Sequence, residues 1–140
     1  MEYNDQNRGA IQNRERARQI IDFSGVRFGN ITPTDIDGMI EYHNVAFVFY
    51  ELKLKGAKMP YGQELALSRM SKRLGDRAVV FLCEHDVDDA SKDIPAAKTI
   101  VRRLCWRGEW YDCEPGITLL EYTQRFLNWI DTKIKPDGGA

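Results

Sequence analysis

The chain has no apolar run long enough to cross a bilayer. Its longest, Val45–Tyr50 and Ala78–Cys83, are six residues each, against the ~20 that a spanning helix requires. The first residues, Met1-Glu2-Tyr3-Asn4-Asp5, are polar and lack a signal-peptide core, so the expected compartment is the cytoplasm. Cysteine is scarce: Cys83, Cys105 and Cys113 are an odd number with no C-x-x-C pair. The only histidines, His43 and His85, have no finger-like spacing to them, so a zinc module is not expected and the thiols read as reduced. An excess of one charge is also missing, because 20 basic residues face 21 acidic ones for a net −1. No global attraction to nucleic acid or membrane follows from that sum. Repeats, low-complexity tracts and long linkers are absent too. What remains is 140 residues with 43% apolar and 29% charged side chains, the profile of one globular domain able to bury a core.

The pattern along the chain alternates between helix and strand. Residues from about Gly9 to Asp22 are rich in helix formers, with Ala10, Ala17, Ile20 and Ile21 able to share a face. Phe23 to Ile31 alternates at Val26 and Phe28 and predicts a first strand, with Gly25 and Gly29 softening it. Asp35 to Tyr42 and Val45 to Leu54 read as two further strands around a tight turn at His43-Asn44. Pro60 is placed to open a helix and Gly75 to close it. Its apolar stripe is Leu67, Met70 and Leu74, and one turn earlier that stripe lands on Gln63. Ala78 to Cys83 predicts a strand buried on both faces, followed by an acidic loop from Glu84 to Pro95. Lys98 to Trp106 and Glu109 to Cys113 predict a hairpin turning at Arg107-Gly108. Thr118 and Glu121 form a capping box for a last helix to about Lys135, striped by Leu119, Thr123, Phe126, Ile130 and Ile134. The strand–helix–strand unit from Val45 to Cys83 requires a right-handed crossover and a parallel pair. The expected class is α/β, with a mixed sheet and helices packed on it.

Hairpin arithmetic isolates the chemistry. If the turn is three residues centred on Asn44, paired positions sum to 88, and Asp37 lies opposite Glu51. Cross-strand neighbours on one face have Cβ atoms about 4.5–5.5 Å apart. Lys53 shares that face two residues on, with Asp35 opposite it. Two carboxylates so close resist joint ionisation unless a cation intervenes. Lys53 relieves part of that repulsion; a hard divalent ion such as Mg²⁺ relieves more and suits oxygen ligands. A glutamine on the sheet-facing side of the next helix needs a polar partner, which the acidic face supplies.

Asp37 between Ile36 and Gly38, Glu51-Leu52-Lys53 at the end of an apolar strand, and Gln63 on the following helix together resemble the PD-(D/E)XK nuclease superfamily. The likeness covers about residues 11 to 85, and the expected element order of helix, three strands, helix, strand accords with it. The resemblance implies a restriction-endonuclease-like core extended by a C-terminal hairpin and helix. It implies Mg²⁺, with Mn²⁺ as a substitute, on Asp37, Glu51 and the Leu52 carbonyl. It further implies that Lys53 assists the attacking water and that Gln63 supports the site. Asp35 competes with Asp37 as first ligand, and Glu15 of the first helix is a secondary candidate. The implied activity is hydrolysis of DNA phosphodiester bonds. Cutting both strands of a duplex needs two such sites, so a homodimer through Trp106, Trp110 or the last helix is the expected assembly.

Local charge fits a polyanion better than the total. Glu51 to Arg77 carries seven basic and three acidic residues, and Lys98 to Trp110 four and one. Lys55, Lys58, Arg102, Arg103 and Arg107 are therefore candidate nucleic-acid contacts. Each feature also has a plainer reading. The acids and Lys53 then form an exposed ion-pair cluster of little energetic weight, the basic residues a solvated rim, and the tryptophans packing anchors. A binding module without turnover, or a protein-interaction domain, would follow from those readings.

Overall fold

The computed structural model describes residues 10–11 and 13–133, and the chain divides after Thr34 into two units. In the first, helix α1 covers only Arg14–Ala17, with the Asn13 side chain accepting the Arg16 N–H at 3.0 Å. Of the helix expected from about Gly9 to Asp22, Gly9 and Gln12 lie outside the described residues, and among the others only Arg14–Ala17 is helical. The strand expected over Phe23 to Ile31 does not form either. Phe28 and Ile31 exchange two backbone hydrogen bonds of 3.0 Å across Gly29-Asn30, with Gly29 at φ +60°. The segment thus turns back on itself before a strand can extend, and Val26 and Phe28 stay exposed.

The second unit is an α/β sheet. Strands β1 (Gly38–Tyr42) and β2 (Ala46–Leu54) are antiparallel around a turn in which His43 and Asn44 take left-handed φ of 47° and 62°. Gly38 pairs with Tyr50 and Tyr42 with Ala46, the register that a three-residue connection dictates. Helix α2 (Tyr61–Leu74) starts after Pro60 and stops at Gly75, whose φ of 74° suits a residue without Cβ. It crosses to β3 (Ala78–His85), which lies parallel to β2. Strand β3 runs two residues further than its apolar run predicts, through Glu84 and His85. Strands β4 (Ile100–Trp106) and β5 (Glu109–Asp112) complete a sheet in sequential order β1 to β5. Their turn at Arg107-Gly108 is left-handed at both residues, as the hairpin required. Helix α3 (Leu119–Lys133) begins where Thr118 Oγ1 accepts the Glu121 N–H at 3.2 Å.

Alternation along the strands sends side chains to two helices. Phe49, Val80 and Cys105 pack with Leu67 of α2 on one face. Val48, Val79, Phe81 and Val101 pack with Leu119 and Phe126 near α3 on the other. Strand β3 is buried over Ala78–Cys83, as a central strand with both faces covered must be. Each fully buried side chain such as Phe81 contributes roughly 1.5–3 kcal/mol relative to exposure. The α2 stripe differs from expectation in one respect. Gln63, Leu67 and Ser71 are its buried residues, while Leu74 is 40% exposed. Ser71 is turned inward to accept the Gly108 N–H at 3.1 Å, which seats the β4–β5 turn on the helix. Leu119, Thr123 and Ile130 are buried on α3 as expected; Ile134 lies outside the described residues. No helix among the described residues is long and apolar enough to cross a membrane.

Candidate metal centre

The hairpin register decides which side chains meet. Because Gly38 pairs with Tyr50, the next position outward sets Asp37 beside Glu51, and both share the α2 face with Phe49. Carboxylate oxygens of Asp35, Asp37 and Glu51 all lie within 4.8 Å of one another. Among the described residues this is the one group of three or more His, Cys, Asp or Glu atoms close enough to share an ion. The cysteines take no part, and burial pushes the Cys83 thiol up to about 12, which keeps it protonated.

The three acids differ in setting. Asp35 and Asp37 are exposed, whereas Glu51 is only 3% exposed. One Asp37 oxygen accepts the Leu52 N–H at 2.6 Å, which fixes its carboxylate against β2. The N–H and C=O of an extended residue point to the same edge, so the Leu52 carbonyl is directed toward the side on which Asp37 sits. Glu51 Oε1 lies 3.3 Å from Lys53 Nζ. Its Oε2 is buried and meets no donor at hydrogen-bonding geometry, although the Gln63 amide lies close enough to act on the carboxyl. An orphan oxygen of this kind costs several kilocalories per mole in an apolar setting unless a ligand meets it. Burial above all, and then the charge of Asp37, pushes the Glu51 carboxyl up from its ordinary range; the Gln63 amide and Lys53 pull it part of the way back. A desolvated carboxylate crowded by another anion is relieved either by a proton or by a cation, so the cluster could hold a metal ion.

Gln63 reaches this corner from the first turn of α2. Its Nε2 donates to the Asp35 carbonyl at 3.3 Å, and its Oε1 is buried without a partner. The amide therefore ties the irregular segment entering β1, expected as strand from Asp35, to the crossover helix. Gly38 allows that strand to lie close, since a Cβ there would collide with the Tyr50 ring.

The basic candidates separate. Lys55 follows the end of β2, and its N–H donates to the His85 carbonyl at 2.7 Å. Lys58 borders a cavity of about 570 Å³ with Arg102 and Arg103. Arg102 is the extra residue of a β-bulge, since Leu82 pairs with Arg103 but Cys83 with Val101. Its Nε lies 3.7 Å from Glu84. Arg103 is held by Glu64 at 3.2 Å and stacks over Trp110 at 4.9 Å, so it joins α2 to the hairpin. Arg107 stacks on Trp106 at the far end of β4, away from the acids. Glu15 belongs to α1 in the separate N-terminal unit and is exposed. The sequence did not single out Glu64 as the anchor of Arg103. The bulge at Arg102, which rearranges β4, has no signature in the residues themselves.

No family model, curated protein or solved structure matches the chain. The class that its fold defines is α/β with a five-stranded mixed sheet, and the acidic corner on that sheet is its candidate metal centre.

Proposed function

We propose that the chain is a metal-dependent phosphodiesterase acting on DNA, with a restriction-endonuclease-like core. The observation that carries this reading is the convergence of Asp35, Asp37 and Glu51, whose carboxylate oxygens lie within 4.8 Å of one another, with Glu51 buried and its Oε2 without a hydrogen-bond partner. The succession β1, β2, α2, β3, with acids on the hairpin and a glutamine on the crossover helix, supports the core assignment. Glu51 and Asp37 hold Mg²⁺ or Mn²⁺, joined by the Leu52 carbonyl, with Asp35 at the exposed margin. Such an ion supplies Lewis-acid polarisation of a phosphoryl oxygen and acidifies water.

Lys53 does the remaining work from the same face. With one donor toward Glu51, its ammonium keeps two others to orient the attacking water and offset charge growing on the phosphoryl oxygens. Gln63 is a positioning residue, holding the backbone at Asp35 so that the acids stay convergent. Lys55, Lys58 and Arg102 line the approach and counter the backbone charge of the substrate. A homodimer would bring two such centres to the two strands of a duplex.

The test is a cleavage panel of single-stranded, duplex, flap and four-way DNA with Mg²⁺ or Mn²⁺. Cleavage that chelator stops, and that Glu51→Ala and Lys53→Ala abolish without unfolding the chain, is the expected result. Full activity in either variant, or no cleavage of any substrate with either metal, overturns it.

A further inference from the structure

Beyond the acidic corner, the parallel strands β2 and β3 both end at a second cavity. Its volume is about 480 Å³, within the usual range for a ligand site. Carboxyl ends of parallel strands are where open α/β sheets place their ligands. Lys55 comes from the end of β2, His85 from β3, Lys98 from the 3-10 turn Ala96–Lys98, and Arg102 from the β4 bulge. Glu84 and Asp86 also line it, leaving three cations against two carboxylates. Arg102 takes up Glu84. Among the described residues, neither Lys55 nor Lys98 has an ion-pair partner.

His85 is set up as a donor. Its Nδ1 accepts the Val87 N–H at 3.1 Å, so the neutral ring carries its proton on Nε2. The cavity adjoins the acids through one cross-strand pair, because Glu84 on its wall is the register partner of Lys53. We propose that this cavity is a phosphate subsite, in which Lys55, Lys98, Arg102 and the His85 Nε2–H hold a nucleic-acid phosphate next to the one presented to Glu51 and Asp37. It rests on the nuclease reading for its substrate, but its recognition chemistry is its own. Charged donors converging from three segments, with the His85 N–H from a fourth, bind a phosphate oxygen more strongly than neutral ones alone, and a partly enclosed cavity strengthens the field.

Ring-nitrogen NMR separates the two readings, since the chain has two histidines and His43 sits in the β1–β2 turn at the other end of β2. Glu51→Gln protein in chelator is titrated with inorganic phosphate and with a short oligonucleotide bearing a 5′-phosphate or a 5′-hydroxyl. The His85 signals move and the His43 signals stay. Lys55→Ala with Lys98→Ala lowers the slope of log affinity against log salt for the oligonucleotide by about 2, one per lost contact. A larger response to the 5′-phosphate assigns a terminal monoester, and equal responses assign an internal diester. Immobile His85 signals, equal movement of both histidines, or an unchanged salt slope overturns the subsite. Because no metal or turnover enters the readout, loss of the nuclease reading leaves this result standing or falling by itself.

Discussion

Gly38 lies directly beneath the ring of Tyr50, its partner across the β1–β2 ladder, with no space between them for a methyl group. The glycine is one residue from Asp37, so this contact sets how closely the first acid approaches Glu51. Gly38→Ala must push either the ring or the strand away. Overpacking of that kind costs about 1–3 kcal/mol. The expected outcome is a lower unfolding midpoint together with weaker Mg²⁺ binding by calorimetry. Restored metal affinity in Gly38→Ala/Tyr50→Ala would tie both effects to this pair.

Glu51 makes stability depend on pH in a defined direction. Its carboxyl is raised in the folded protein, chiefly by burial and next by Asp37. Such a group favours folding below the ordinary carboxylate range, and this contribution fades as pH rises through its folded value. In chelator, the metal-free chain therefore loses stability relative to Glu51→Gln as pH rises above the ordinary carboxylate range. Thermal melts of both proteins across that rise measure the difference. Added Mg²⁺ reverses it for the unsubstituted chain alone, and its affinity rises with pH.

On the proposed mechanism, Lys53→Ala separates catalysis from metal binding. The ammonium neutralises Glu51 in part, yet it occupies only Oε1. Metal titration should give a complete binding curve, while the cleavage rate falls by about 10²–10⁴, the usual span for loss of a proton-handling group. Equal loss of binding and rate would make Lys53 a structural partner of Glu51.

The adjacent arginines should part company. Arg103 is anchored between Glu64 and Trp110, and Arg102 reaches Glu84 from the bulge. Arg103→Ala lowers the unfolding midpoint and leaves the salt dependence of DNA binding unchanged. Arg102→Ala barely alters the midpoint but reduces the salt slope by about 1. Melting curves and binding isotherms over a salt series read both.

Those arginines also illustrate what the sequence conceals. The site hairpin was legible because one assumption, a turn of three residues about Asn44, fixes every pairing from Tyr42–Ala46 outward to Gly38–Tyr50. Gln63 was legible because Leu67 one turn later is apolar and sheet-facing. The N-terminal strand was not, because alternation at Val26 and Phe28 has the strand period whether or not a neighbouring strand exists to pair with it. Ser71 was overlooked in favour of Leu74, since its burial is set by the Gly108 amide, a contact 37 residues away in the chain. The bulge at Arg102 is likewise a product of how β3 and β4 align, and an Arg-Arg pair in an apolar strand carries no mark of it.

The crossover through α2 also orders events in time. Asp37 and Glu51 share a hairpin closed by three residues, whereas Gln63 and the wall that dries Glu51 arrive only when β3 docks beside β2. Local loops close sooner than distant ones. A nascent chain therefore gathers its acids while they are still wet, and Glu51 loses its water only at the last closure. The expected outcome in stopped-flow refolding is that any metal affinity of the acidic corner recovers only in the slowest phase.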